Sequence, residues 1–171
     1  MIILGNGFVE KHAKELQDFL CEALEHGYGS DYANTKVEYD AGDNSCCIEF
    51  DSPAYPDWRY IDTWYGVDPF SGISRIYYHG VVCWTMIYWG KFLPEKESFV
   101  HDCLCEALQN FNPDHPWRGP NQYRSPISQL RYTNMWHGNI EKFYGQEKIG
   151  NSNDDWLYEM DYRGGIINLR V

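Results

Sequence analysis

The residues best suited to hold a ligand form two triplets, in each of which a polar side chain stands between two aromatic ones. The first is Tyr60, Asp62 and Trp64, and its repeat, 72 residues later along the chain, is Tyr132, Asn134 and Trp136. Side chains alternate along a β-strand, so each triplet lies on one face. Stacking rings with one orienting polar group are typical of small-molecule pockets. The alternative interpretation is a core layer that faces a helix and contains one satisfied polar group.

A second candidate lies in the proline-rich segment 112–126, which contains Trp117 and Arg118. The prolines predict a stiff, extended crossing along the surface between a helix and the sheet. A guanidinium held there beside a ring has few rotamers, so Arg118 is a candidate to bind a negative group of the ligand. The alternative is an ion pair that ties this connector to a carboxylate of the sheet.

Signals of catalysis or metal binding are weaker. Glu159 and Asp161 share one face of a predicted strand, but a solvated strand face explains them. His101 and Cys105 share a helical face, but a zinc site normally combines two such pairs and no second pair is evident. The sequence contains neither a nucleophile elbow nor a nucleotide-binding glycine motif. We therefore predict no catalytic residue, no metal site and no cofactor.

Composition and charge exclude several classes of function. The 171 residues include 14 Lys and Arg against 25 Asp and Glu, which gives a net charge of −11. That charge repels a phosphate backbone, and no basic stripe is evident in the sequence, so we predict no direct nucleic-acid binding. The first residues lack the basic segment of a signal peptide, and no stretch is long and apolar enough to cross a bilayer. We predict a cytoplasmic protein with reduced cysteines and no membrane partner.

The chain contains two similar units. Amphipathic helices are predicted at residues 9–25 and 95–111, and both contain the string LCEAL. Strand signals typical of an antiparallel meander follow each helix, and His79-Gly80 is predicted to turn the last hairpin of the first unit. The offset between matching residues drifts from 72 to 74, as loop insertions produce. We predict an α+β fold made by tandem duplication of a helix plus an antiparallel β-meander, with pseudo-symmetric halves at 1–93 and 94–171 in one compact domain.

The last strands of the two units differ on the face that the repeats do not keep. The first unit has Cys83, Thr85, Ile87 and Trp89 there, and the second has Leu157, Glu159, Asp161 and Arg163. An apolar face on only one unit predicts a partner surface, which either the other half or a second subunit covers. A homodimer or another protein partner is therefore possible.

Several long phrases resemble a small bacterial family, domain of unknown function 5680. They are YIDTWYGVDPFSG, WTMIYWG, PWRGPNQY, FYGQEKI and YEMDYRGG, and the resemblance covers most of the chain. The positions that match the family pattern are Tyr60, Asp62, Gly66, Phe70, Gly72, Arg118, Gly145 and Tyr162. Ser74 stands where the family usually has an acidic residue, which Glu147 retains in the second unit. Some members follow an XRE-type helix-turn-helix, which implies a sensory or protein-interaction role and no particular activity.

These observations favour a non-catalytic binding module. We expect a small nucleotide-like or aromatic ligand in the groove between the halves, held by the two triplets together with Trp117 and Arg118. Such a module would be a sensor or a sequestering protein, for example one carried by a phage against a nucleotide signal in an anti-defence role. The alternative is an acidic protein that engages or inhibits another protein, and an uncharacterised enzyme is the third possibility.

Overall fold

The computed structural model describes residues 6–28, 36–92, 97–153 and 155–167. Two helices lie within them, α1 (Asn6–Tyr28) and α2 (Glu97–Gln109). The strands are β1 (Glu38–Asp40), β2 (Ser45–Asp51), β3 (Trp58–Tyr65), β4 (Phe70–Tyr78), β5 (Val81–Phe92), β6 (Gln122–Arg124), β7 (Arg131–Asn139), β8 (Lys142–Gly150) and β9 (Trp156–Ile166). They form one nine-stranded sheet in the order β1-β2-β3-β4-β5-β9-β8-β7-β6. All neighbouring strands are antiparallel.

Each meander contains a hairpin that is closed by a tight turn. His79 and Gly80 join β4 to β5 with φ angles of 48° and 78°, and two positive φ angles are what a two-residue type I′ hairpin requires. The predicted turn is therefore confirmed. Between β7 and β8, Oδ1 of Asn139 accepts hydrogen bonds from the backbone N–H groups of Glu141 and Lys142 at 3.0 and 3.3 Å.

Both helices pack on the same face of the sheet and contact each other. The apolar side of α1 places Leu16, Phe19 and Leu20 in the core, and the ring of Phe19 stacks on Phe50 of β2 at 5.9 Å. Helix α2 lies over the other half of the sheet, against β6, β7 and β8. Neither described helix combines the length and the apolar character that crossing a membrane requires. We call the opposite side of the sheet the outer face; no described helix covers it.

Matching residues of the two halves occupy matching positions in the sheet. Asp62 pairs with Ser74 across β3 and β4, and Asn134 pairs with Glu147 across β7 and β8. The last strands of the two meanders, β5 and β9, pair with each other at the centre of the sheet.

Two expectations from the sequence need correction. Nine strands against two helices make the protein mainly β, whereas an α+β fold was predicted. Both predicted helices are present, each is followed by an antiparallel meander as predicted, and the short strands β1 and β6 are additional. The proline-rich connector does not run along the surface over its whole length, because its middle is buried: Trp117 and Arg118 lie in the interior, and the ring of Trp117 stacks on Phe143 at 4.6 Å.

Candidate ligand-binding cavity

A cavity of about 220 Å³ lies between α2 and the sheet, and residues from both halves line it. Arg118 and His101 are the two basic residues on its wall. Most of the wall is apolar, and its rings are those of Trp64, Phe70, Tyr88, Phe92 and Tyr158. An apolar wall with a few polar groups is the usual composition of a ligand pocket. Because pockets for drug-sized ligands measure roughly 300–1,000 Å³, this smaller cavity suits a single small ring system.

Glycines on neighbouring strands make room for the rings of this wall. Tyr88 of β5 lies across Gly72 of β4, where an added Cβ would stand 2.3 Å from the tyrosine oxygen. Phe70 of β4 lies across Gly90 of β5, where an added Cβ would stand 2.5 Å from the ring. A larger residue at either glycine would displace a ring. Gly72 therefore serves ring packing in the middle of a strand pair.

The second half repeats this arrangement. Tyr162 of β9 lies across Gly145 of β8, and an added Cβ there would stand 2.4 Å from the tyrosine oxygen. Phe143 lies across Gly164, with the corresponding distance 2.7 Å. In both halves a tyrosine crosses one strand to reach a polar side chain on the strand beyond it.

Asp62 lies directly behind the cavity wall. Its Oδ1 accepts one hydrogen bond from the Ser74 hydroxyl and one from the Tyr88 hydroxyl, each at 3.0 Å. Burial raises the pKa of Asp62, and these two hydrogen bonds, together with the more distant charges of Arg118 and Arg75, oppose that rise. Tyr88 thus joins the cavity to a buried carboxylate that has no direct ion pair among the described residues.

Arg118 forms a buried ion pair with Glu147 of β8. Its Nε donates to Oε2 at 2.9 Å and its Nη2 donates to Oε1. The hydroxyls of Tyr132 and Tyr158 donate to the same carboxylate, each at 2.6 Å. Burial alone would lower the pKa of Arg118, but the attraction of Glu147 holds it well above its usual value. The interpretation of Arg118 as a tie between connector and sheet therefore describes its main contact.

Asn134 of β7 also connects the proline-rich connector to the sheet. Its Oδ1 accepts a hydrogen bond from the Tyr162 hydroxyl at 2.7 Å, and its Nδ2 donates to the backbone oxygen of Gly119 at 2.9 Å. The Nδ2 end of the amide therefore holds the connector against the second half, while the Oδ1 end binds Tyr162 of β9 within the sheet.

The residues that the sequence predicted for ligand binding do not all lie at one site in the structure. Trp64 and Arg118 line the cavity. The other six lie in the layer that faces the helices but not on the cavity wall; they are Tyr60, Asp62, Trp117, Tyr132, Asn134 and Trp136. Trp136 packs against Trp117 at 5.6 Å in an edge-on contact, with His115 beside it at 3.7 Å.

Among the ring-bearing wall residues, sequence reasoning nominated only Trp64 for ligand binding and missed Phe70, Tyr88, Phe92, Tyr158 and His101. The repetition of Phe70 and Tyr88 in the second half was the available signal for those two. Phe92 and Tyr158 face each other because β5 pairs with β9 in that register, and no local pattern announces a pairing between the two halves.

A comparison with family models identifies one match. The family described as domain of unknown function (DUF5680) matches residues 62–167. That span runs from within β3 to the end of β9 and includes the cavity-lining residues other than Val37 and Ile48. No curated protein and no solved structure matches the chain.

Proposed function

The chain belongs to the family of domain of unknown function 5680, and we propose that it is a non-catalytic binding module for a small, neutral, planar aromatic ligand. The observation that carries this proposal is the cavity of about 220 Å³ between the halves, walled by five rings and bordered by Arg118. Aromatic rings bind other rings through offset stacking and edge contacts, which add to the burial of apolar surface. The expected ligand is a nucleobase or a heterocycle of similar size.

The buried charges favour a neutral ligand. Glu147 neutralises Arg118, and Asp62 lies close behind Tyr88. An anion that left water for this cavity would gain little from a guanidinium that is already paired. The bonds to Glu147 use Nε and Nη2, so Arg118 acts in this proposal as a hydrogen-bond donor through Nη1. The sequence led us to expect that Arg118 binds a negative group of the ligand; in this proposal it instead donates a hydrogen bond to a neutral ligand.

The proposal includes a duplicated origin for the cavity. The matched registers of β3–β4 and β7–β8, and the matched tyrosine-over-glycine contacts, support descent of the two halves from one helix-plus-meander unit. A ligand between the halves would then stabilise their mutual packing, which suits a sensor or a sequestering protein.

Thermal unfolding of the full chain with a panel of free bases, nucleosides and nucleoside monophosphates tests the proposal. A ligand at a hundred times its Kd stabilises the native state by about 2.7 kcal/mol, which raises the Tm by roughly 5–10 °C for a domain of this size. We expect such a shift from a base or nucleoside, and a smaller one from the matching monophosphate.

The two halves offer a matched control. Trp64→Ala removes a ring of the cavity wall and should abolish the shift, whereas Trp136→Ala changes the equivalent ring away from the cavity and should retain it. A flat response to the whole panel, or equal loss in the two variants, would overturn the proposal.

A further inference from the structure

The outer face carries a charge opposite to that of the whole chain. Strand alternation and register place six basic side chains outward on the five strands from β4 through β5, β9 and β8 to β7: Arg75, Lys91, Arg131, Lys142, Lys148 and Arg163. Two outward side chains on the same strands are acidic, Glu159 and Asp161. This part of the outer face is therefore positive by four charges, although the chain has a net charge of −11.

The acidic residues of the helices lie on the far side of the sheet. In α1 they include Glu15, Asp18, Glu22 and Glu25, and in α2 Asp102 and Glu106. A helix is about 10–12 Å wide, whereas the Debye length at physiological ionic strength is about 8 Å. Salt therefore screens the acidic helices from a ligand on the outer face.

Exposed rings stand among the basic side chains. Two adjoining depressions, of about 750 and 480 Å³, share Ile87, Tyr144 and Arg163 and form one trough along β5 and β9. Trp89 borders the larger depression and is 47% exposed, and Tyr144 borders both and is 56% exposed. His137 packs against the Tyr144 ring at 5.1 Å and supports it from β7. With Ile87, which is 50% exposed, these rings form a contiguous apolar patch, and contiguous exposed patches mark binding surfaces.

The charged side chains nearest the trough differ in whether an opposite charge lies beside them. Glu159 lies 2.9 Å from Lys91 and 3.9 Å from Lys148, and Asp161 accepts a hydrogen bond from Gln146. At the other end, Arg163 stands between Ile87 and Tyr144 in the sheet register, and no described carboxylate pairs with it. Lys142 follows on β8, and Arg75 lies on β4 in the same cross-strand row, with Thr85 and Gly165 between them. Arg75 borders neither depression, and its Nη2 donates a hydrogen bond to Thr63 of β3, but no described carboxylate pairs with it.

We propose that this trough binds single-stranded nucleic acid. Bases stack on Trp89 and Tyr144. The phosphate between them contacts Arg163, and the phosphates beyond Tyr144 contact Lys142 and Arg75 in the next cross-strand row. An open antiparallel sheet that presents aromatic rings is a known way to bind unpaired bases, and a positive groove beside stacking rings is the general form of a single-strand site. A purely acidic protein partner would use the charges but would leave the rings without a stacking partner.

This inference departs from the expectation drawn from net charge, and it is independent of the cavity on the other face. The basic residues come from five strands and lie six or more positions apart along the chain, so they form no stripe in the sequence. The fold separates them from the acidic helices, and local charge then governs the contact.

Fluorescence anisotropy of labelled rU12 and dT12 with the full chain tests the proposal, and the two oligonucleotides show whether RNA or DNA is preferred. Three phosphate contacts give a slope of about −2 for log K against log salt, so affinity should fall roughly 20-fold between 50 and 200 mM KCl. Trp89→Ala should weaken binding about tenfold, the usual effect of losing one stacked base. Arg163→Glu should weaken binding and make the salt slope shallower.

Two control variants separate the outer face from net charge and from general loss of a ring. Lys14→Glu on α1, where the lysine side chain is 79% exposed, changes the net charge as Arg163→Glu does and should leave affinity nearly unchanged. Phe99→Ala on α2 removes a ring that is 63% exposed and should have no effect. Thermal melting establishes that each variant is folded.

Three results would overturn the proposal. The first is no anisotropy change with either oligonucleotide at 50 mM KCl. The second is equal weakening by Lys14→Glu and Arg163→Glu, or none by Trp89→Ala. The third is equally tight binding of a labelled twelve-residue poly-glutamate that ignores Trp89→Ala, which would assign the face to an acidic protein instead.

Discussion

The two halves of the sheet share the same arrangement of rings and glycines but differ in the charges of their buried polar side chains. In the first half the carboxylate, Asp62, stands on β3 and faces the hydroxyl of Ser74 across the strand pair. In the second half the amide, Asn134, stands at the matching place on β7, and the carboxylate, Glu147, is on β8. Each pair contains one buried acid, but only the second acid is neutralised by a cation, Arg118.

The difference follows from the connector. Residues 117–119 pass over the second half, where Trp117 stacks on Phe143 and Arg118 reaches Glu147. Asn134 then binds the backbone oxygen of Gly119. The tyrosine-over-glycine contacts, which both halves share, therefore serve the packing of the sheet. In the second half alone, the cation of Arg118 also neutralises the buried carboxylate and ties the connector to the sheet. The first half keeps a buried carboxylate without a direct ion pair among the described residues, next to a cavity.

Removing the ion pair between Arg118 and Glu147 should have the largest effect on stability. Arg118→Met keeps most of the apolar stem but leaves Glu147 buried and charged, and we expect a loss of about 3–5 kcal/mol in the free energy of unfolding. Urea unfolding at pH 7 measures it. Arg124→Met, at an exposed site in the same connector, should cost less than about 0.5 kcal/mol.

A second variant isolates the cause of that loss. Replacing both partners, Arg118→Met with Glu147→Leu, should recover much of the stability, because an apolar pair needs no charge compensation. A loss below about 1 kcal/mol for Arg118→Met alone would show that the two halves do not differ in the way described.

Adding a methyl group at the two strand glycines tests the shared scaffold. Gly145→Ala brings a Cβ within 2.4 Å of the Tyr162 hydroxyl oxygen and 2.7 Å of the Met135 backbone oxygen, and Gly72→Ala within 2.3 and 2.6 Å of Tyr88 and Thr63. We expect each to cost about 1–3 kcal/mol in urea unfolding. Gly145→Ala should cost more, because Tyr162 is buried whereas Tyr88 borders the cavity and has room to move.

Gly27→Ala is the control for these substitutions, because a Cβ at this helical position meets no atom within 4 Å. It should be neutral or stabilising by up to about 1 kcal/mol, since alanine favours a helix. If Gly72→Ala and Gly145→Ala behave like it, the tyrosines do not lie across the glycines.

Local patterns predicted much of this fold because its elements are locally encoded. Apolar periodicity identified both helices, strand alternation placed Tyr60 and Asp62 on the same face, and His79-Gly80 marked a hairpin. The edge strands β1 and β6 have only three residues each, too few for a period to appear. The mainly β character was underestimated because several strands extend beyond the alternating segment, as β4 does back to Phe70.

The site was less predictable because it depends on how distant segments meet. The pairing of β5 with β9 sets Tyr158 beside Phe92 on the cavity wall, and the connector carries Arg118 to Glu147, a carboxylate 29 residues away. Alternation gives the face of a side chain but not its neighbours on the next strand. The basic outer face was invisible for the same reason, since its charges come together only across strands.

The smallest effect we expect concerns the buried carboxylate of the first half. Because burial raises the pKa of Asp62 above its ordinary value of 3.8, the native chain holds this proton more tightly than the unfolded chain does. The contribution of Asp62 to stability is therefore greatest at low pH and falls as pH rises from about 4 through the folded pKa. Asp62→Asn does not titrate, so its stability relative to the native protein should rise with pH, by no more than about 1.4 kcal/mol per pH unit.

Urea unfolding of both proteins at steps from pH 4 to pH 8 measures that difference. Asp51→Asn is the control, because this carboxylate is 67% exposed and its removal should shift stability by a few tenths of a kcal/mol at most at every pH. The Asp62→Asn substitution would give the first half the amide that Asn134 gives the second, with Tyr88 still donating to the side-chain oxygen. A relative stability that stays flat or falls with pH would mean that Asp62 is as well neutralised as Glu147, and the contrast between the halves would then disappear.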